Sequence, residues 1–273
     1  MFSNLMILNK ELHAGRSVVP VDSYAYAANV HVASIAIHEF SKAAALYPLA
    51  FIQAAAGEQF SPVALLGLNE GRNLFVNEAG QWTVSYVPAA IRKYPFALVP
   101  KDSEGAEFVV CVDEASGCLS ADRGQPLFNS HGEPAPVLEG AIQFLSELQK
   151  MDQQTRHFCQ LLKEFGLLVP LNVELRSAKG ARKVAGAFVV DEVALNNLTS
   201  EQAGVLQRHN YLPVVYAHLL SMGQFERLVS LADASMPAER QGEKSEPNAA
   251  PPENSSSPAK AAPPAKKSRK RTR

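Results

Sequence analysis

The chain has 273 residues, 47% of them hydrophobic and 19% charged, with 26 basic residues against 27 acidic ones. The near-neutral sum hides an asymmetry: the last 37 positions, from Pro237, hold nine basic and four acidic residues, so residues 1–236 carry −6 and 237–273 carry +5. The apolar fraction excludes whole-chain disorder, and a body of this size can bury about 70–75% of its unfolded surface as one large domain or two intimate small ones.

No stretch approaches the roughly 18–20 uncharged apolar residues that a bilayer-spanning helix needs; Phe188–Val190 and Leu212–Leu220 are far too short. The chain is therefore not expected to span a membrane. The opening MFSNLMILNKELHAG shows no basic segment ahead of its apolar run and no small-residue cleavage site, which predicts a cytoplasmic protein. Cys111, Cys118 and Cys159 are an odd set without a C-x-x-C pair and are expected to be reduced thiols, mainly core filler.

In chain order, apolar residues at Ile37, Phe40, Ala44 and Leu46 or Tyr47, stopped by Pro48, predict a helix over 35–46. Short strands are predicted at Leu49–Ile52, Val63–Leu68, Leu74–Val76 and Trp82–Val87. Asn77 to Gly80 join the last two as a hairpin turn, because Gly80 can take positive φ and Asn77 can bond its own backbone. Phe96–Val99 and Phe108–Val112 continue the β pattern, and Asn129 to Gly132 form another turn.

The period then lengthens. Val137, Ala141, Phe144, Leu145 and Leu148 share one helical face, and Phe158, Leu161, Leu162 and Phe165 share the next, stopped by Gly166. Leu167–Leu175 and Lys183–Val190 read as strands. Thr199 and Gln202 are spaced as a capping box for a helix to Arg208, and Pro213 opens a last helix through Phe225 or beyond. The pattern predicts an α+β body with a β-rich first half carrying hairpins and a helix-rich second half. Residues 237–273, rich in Pro and Ala, are predicted to form a solvated, disordered arm.

Motifs that would name a reaction are missing: no G-x-x-x-x-G-K-[ST], no G-x-G-x-x-G, no G-x-S-x-G. His38-Glu39 resembles the start of H-E-x-x-H, but position 42 is Lys, so no metal site is expected. No cofactor is called for either. His31 and His38, seven apart, would lie about 10 Å from each other on a helix, too far to share a metal. Glu39, in an apolar stretch, needs a partner. Arg72 or Arg92 could pair with it in a structural ion pair; the alternative is an acid/base role.

The densest constellation runs from Gly67 to Phe96. It gathers Arg72, Asn73, the lone Trp82, Tyr86, Arg92 and Tyr94, and aromatic faces beside guanidinium groups can bind peptides, sugars or bases, or can simply build a hairpin core. Glu39, Arg72, Asn73, Trp82, Tyr86, Arg92 and Tyr94 form the candidate recognition surface.

The run GLNEGRNLFVNEAGQWTVSYVPAAIRKYPF resembles the bacterial SapC family, through G-x-N-x-F-V, G-x-W, Y-V-P and I-R-x-Y-P-F elements. His38-Glu39-Phe40, Tyr47-Pro48-Leu49-Ala50-Phe51, Leu127-Phe128, Gly132-Glu133-Pro134 and the Leu167-Leu168-Pro170 segment fit the same pattern, so the resemblance spans roughly His13 to Leu231. It implies a role connected with surface-layer production or export. Relatives sit beside flavin-dependent halogenase-like and cupin-like genes, which implies an accessory part in modification or uptake of a substrate. The family brings no catalytic residues to carry over.

Together these readings predict a non-catalytic accessory protein that binds a peptide or protein partner. The alternative is an enzyme of unrecognised type, acting in peptide or metabolite modification, with Glu39 as acid/base. The closing cluster Lys266, Lys267, Arg269, Lys270, Arg271 and Arg273 is expected to give weak, non-specific contact with nucleic acid or an anionic surface.

Overall fold

The computed structural model describes residues 1–54, 59–101, 107–177 and 180–235. The predicted arm and its basic cluster lie outside the described residues.

The chain opens with β1 (Leu5–Ile7), the one-turn helix α1 (Lys10–His13), β2 (Ser17–Val18) and β3 (Val32–Ser34). A 3₁₀ turn at Ile37–Glu39 runs into α2 (Phe40–Ala43), followed by β4 (Leu49–Gln53), β5 (Phe60–Leu65), α3 (Ala89–Arg92), β6 (Phe96–Pro100), β7 (Phe108–Asp113), β8 (Leu119–Ser120) and β9 (Gln125–Pro126). After the long helix α4 (Pro136–Glu164) come β10 (Leu168–Pro170), β11 (Val173–Ser177), β12 (Gly180–Val184) and β13 (Phe188–Val190). Four helices close the described chain: α5 (Glu192–Asn196), α6 (Ser200–Arg208), α7 (Leu212–Ser221) and α8 (Gln224–Ala234).

The fold is α+β, as the sequence predicts. Its principal sheet has five antiparallel strands in the order β10-β13-β4-β5-β3, so strands from the second half complete a sheet begun in the first. A second sheet orders β1-β7-β6, a third β8-β2-β9, and β11 pairs with β12. One buried cluster joins Phe40, Tyr47, Phe51, Phe75, Phe158 and Leu162 over the five-stranded sheet. A smaller one joins Val18, Phe96, Val112, Leu127, Leu138 and Leu145.

Helix α4 serves both clusters. The two predicted helical faces belong to one uninterrupted helix of 29 residues, about 43 Å long at the usual rise. Its N-terminal half gives Leu138 and Leu145 to the smaller core, and its C-terminal half gives Phe158 and Leu162 to the larger. The polar stretch between them, Gln149 to Arg156, looks like a break only by its lack of an apolar face. Its residues are good helix formers or are tied down: Thr155 is buried, and its Oγ1 donates to the Met151 carbonyl (2.7 Å) while accepting the Ile37 N–H (3.1 Å).

Other boundaries move for local reasons. The helix predicted over 35–46 is the short 3₁₀ turn followed by α2. The strands predicted at Leu74–Val76 and Trp82–Val87 reduce to a single bridge between Val76 and Trp82, although the turn between them forms with Gly80 at φ +74°. The strand predicted over 167–175 splits into β10 and β11, and that over 183–190 into the end of β12 and β13. The last predicted helix divides into α7 and α8. Ser221, at the end of α7, donates to the His218 carbonyl (2.6 Å) and accepts the Leu49 N–H (3.0 Å), which ties this point to β4. All three cysteines are unpaired thiols, Cys111 and Cys159 buried and Cys118 half-buried. No described helix is long and apolar enough to cross a membrane.

Candidate functional site

The Gly67 to Phe96 segment is a chain of turns pinned to its surroundings by backbone bonds. Asn77 Oδ1 accepts the Gln81 N–H (2.8 Å) and the Asn77 carbonyl accepts the Gly80 N–H (2.9 Å), closing the turn. The Gly80 carbonyl then accepts the Tyr24 N–H (2.7 Å) and Ser23 Oγ (3.3 Å). Gly80 sits at φ +74°, which favours glycine, and a Cβ there would stand 2.0 Å from Ser23 Oγ and push that hydroxyl aside. The contact brings Tyr24 against Trp82, ring centroids 5.5 Å apart and nearly edge-on.

Trp82 is held from behind. Its Nε1–H donates to Tyr47 Oη (2.9 Å), and Tyr47 Oη in turn donates to the Tyr86 carbonyl. Tyr47 is fully buried, edge-on to Phe75 at 4.8 Å, and burial raises its phenol above the ordinary tyrosine range, so it stays a neutral donor.

Glu39 is 6% exposed. Its Oε1 accepts Tyr86 Oη–H (2.6 Å) and the Ala89 N–H (2.8 Å), and its Oε2 accepts the Ala36 N–H (2.9 Å). The partner foreseen for it, a guanidinium, is replaced by a phenol and two backbone amides. Burial, followed by the bond to Glu39, raises the Tyr86 phenol, which fixes it as the donor. The carboxylate thereby ties the 3₁₀ turn to the start of α3.

Arg92 is exposed at the front of this framework, and Tyr94 is buried close by. Arg92 Nε–H donates to the Val87 carbonyl (3.0 Å), and its guanidinium lies 5.3 Å from the Phe144 ring centre and 5.8 Å from that of Tyr86. Tyr94 stacks on Tyr26 at 4.0 Å with planes 12° apart, and Tyr26 Oη–H donates to the Ile91 carbonyl (3.1 Å). Tyr24, Tyr26, Arg92, Tyr94 and Phe144, with Val21, line a groove of about 460 Å³.

The candidate set therefore divides. Arg92 and Tyr94 line the groove, while Glu39, Tyr86 and Trp82 support it from beneath. Arg72 and Asn73 belong elsewhere: Asn73 is buried, its Nδ2 donating to the Ala27 carbonyl (3.1 Å) and its Oδ1 accepting the Phe75 N–H (2.9 Å). Arg72 Nη2 donates to the Ser235 carbonyl (2.8 Å). Glu39 lines a different cavity, of about 240 Å³, with Ala89, Lys93 and Leu145, so Glu39 and Arg92 do not converge on one space. Tyr24, Tyr26 and Phe144 are the residues that sequence reading missed. The close pair of tyrosines was the one visible signal.

Among the described residues, no group of three or more His, Cys, Asp or Glu side chains is placed to hold a metal ion. A family model described as SapC matches residues 8–228. No curated protein and no solved structure matches the chain.

Proposed function

The chain belongs to the SapC family, and from that premise we propose that it is a non-catalytic accessory protein that binds a peptide or protein partner, with a connection to surface-layer production or export. The observation behind this reading is the groove in which the half-buried Tyr24 and Tyr26, backed by the buried Tyr94, lie beside the exposed Arg92 guanidinium. Rings of this kind take proline or apolar side chains of an extended segment at low entropic cost, and a guanidinium takes a carboxylate. The partner segment is thus one that offers an apolar or proline residue next to an acidic one.

Selection of a random peptide library on the full chain tests this. Enriched peptides should combine an aromatic or proline with Asp or Glu, and Arg92→Ala should weaken the best of them by tenfold or more. A library that yields no binder, or binders indifferent to Arg92→Ala and Tyr24→Ala alike, overturns the reading.

An enzymatic role with Glu39 as acid/base finds less support. Three donors already occupy its two oxygens, and its cavity is separate from that of Arg92.

A further inference from the structure

A third concavity, of about 600 Å³, opens between the turn before α2, the middle of α4 and the junction of α6 with α7; it shares no lining residue with the tyrosine groove. Three exposed histidines from these three places line it: His38, His157 and His209. The α6–α7 junction turns on Asn210, in the left-handed region at φ 58°, one of the side chains that tolerates it best. That turn sets His209 and Tyr211 side by side, rings 5.5 Å apart and within 20° of parallel, with the His157 ring 4.8 Å from His209 and nearly perpendicular to it.

The hydrogen bonds fix which atoms remain for a ligand. His157 Nδ1 is hydrogen-bonded to Tyr211 Oη (2.9 Å), which also lies 3.3 Å from the Gln154 carbonyl. With Nδ1 accepting from Tyr211 Oη–H, the shorter of the two contacts, His157 keeps Nε2–H as a donor for a guest. Among the described residues, no Asp, Glu, Lys or Arg lines the cavity, whose other polar groups are imidazoles, carboxamides and a hydroxyl, and whose apolar lining includes Phe40 and Val214. Such a wall supplies N–H and O–H donors with no carboxylate to repel an anion, in a volume suited to a small molecule.

We propose that this cavity binds a small metabolite by an oxyanion, a phosphate or a carboxylate, held between His157 and His209 with His38 at the rim. The site is independent of the groove and of any partner bound there.

Imidazole ¹H–¹³C resonances of the full chain, titrated separately with inorganic phosphate and with succinate, test the proposal. His38, His157 and His209 should move saturably with at least one anion while His13 and His218 stay still; the anion that acts distinguishes a phosphate from a carboxylate ligand. His209→Gln and His38→Gln, both at exposed positions, should keep the circular-dichroism spectrum and weaken that binding by about tenfold or more. Absence of saturable shifts with both anions, or affinity unchanged in both variants, overturns it.

Discussion

Burial holds the His218 imidazole neutral far below the ordinary histidine range, its pKa lowered to about 4. The residue has no exposed surface, its Nε2 accepts the Val190 N–H (3.0 Å), and its ring lies against Phe51. An unfolded chain takes up this proton near pH 6.5 and the folded one does not until about 4, so stability is complete above about pH 6.5 and falls as pH drops towards 4. Urea unfolding at pH 7.5 and pH 5 should differ by about 2 kcal/mol from this residue alone. His218→Gln should remove that part of the difference; an identical profile in the variant contradicts the assignment. At this scale the sequence marked Glu39 as a carboxylate in need of partners, but their identity depends on the path of the Tyr86 to Ala89 loop, about fifty residues on. Asn73 was misplaced on a surface for the same reason, since its bonds to Ala27 and Phe75 follow from how turns are stacked.

Helix α4 couples the two cores mechanically, and that coupling is open to measurement. Leu145→Ala, a change confined to the smaller core, should cost about 3 kcal/mol. Because one helix serves both cores, the slowest-exchanging amides of β4 and β5, in the larger core, should then exchange about a hundredfold faster. Unaltered exchange there would mean that the cores unfold separately. Elements with a strong local signature were legible: short apolar runs gave β4, β6 and β7, and the Thr199–Gln202 capping box gave α6 with the expected start and end. Elements decided by distant contacts were not. The continuity of α4 rests partly on a Thr155 bond to Ile37, and the break before α8 coincides with the Ser221 bond to Leu49.

Over the whole molecule, the α+β class and the family were both present in the sequence, whereas the groove was hidden. Its lining comes from residues 21–26, 92–94 and 144, segments that no spacing rule connects. Charge is also a whole-molecule property here, because the net −1 joins a body at −6 to a terminal segment at +5. With six basic residues between Lys266 and Arg273, binding of the full chain to duplex DNA should fall about a thousandfold between 50 and 200 mM salt. Truncation after Met236 should abolish it, and retention by the truncated chain would assign anion binding to the body instead.

Trp82 is the chain's only tryptophan, and it sits one ring behind the groove, hydrogen-bonded to a buried phenol and edge-on to Tyr24. The protein thus carries its own optical probe at the place where a partner is expected. Whatever enters the groove and shifts Tyr24 alters the indole's surroundings, so occupancy can be followed by intrinsic fluorescence, without a label and without knowing the partner in advance.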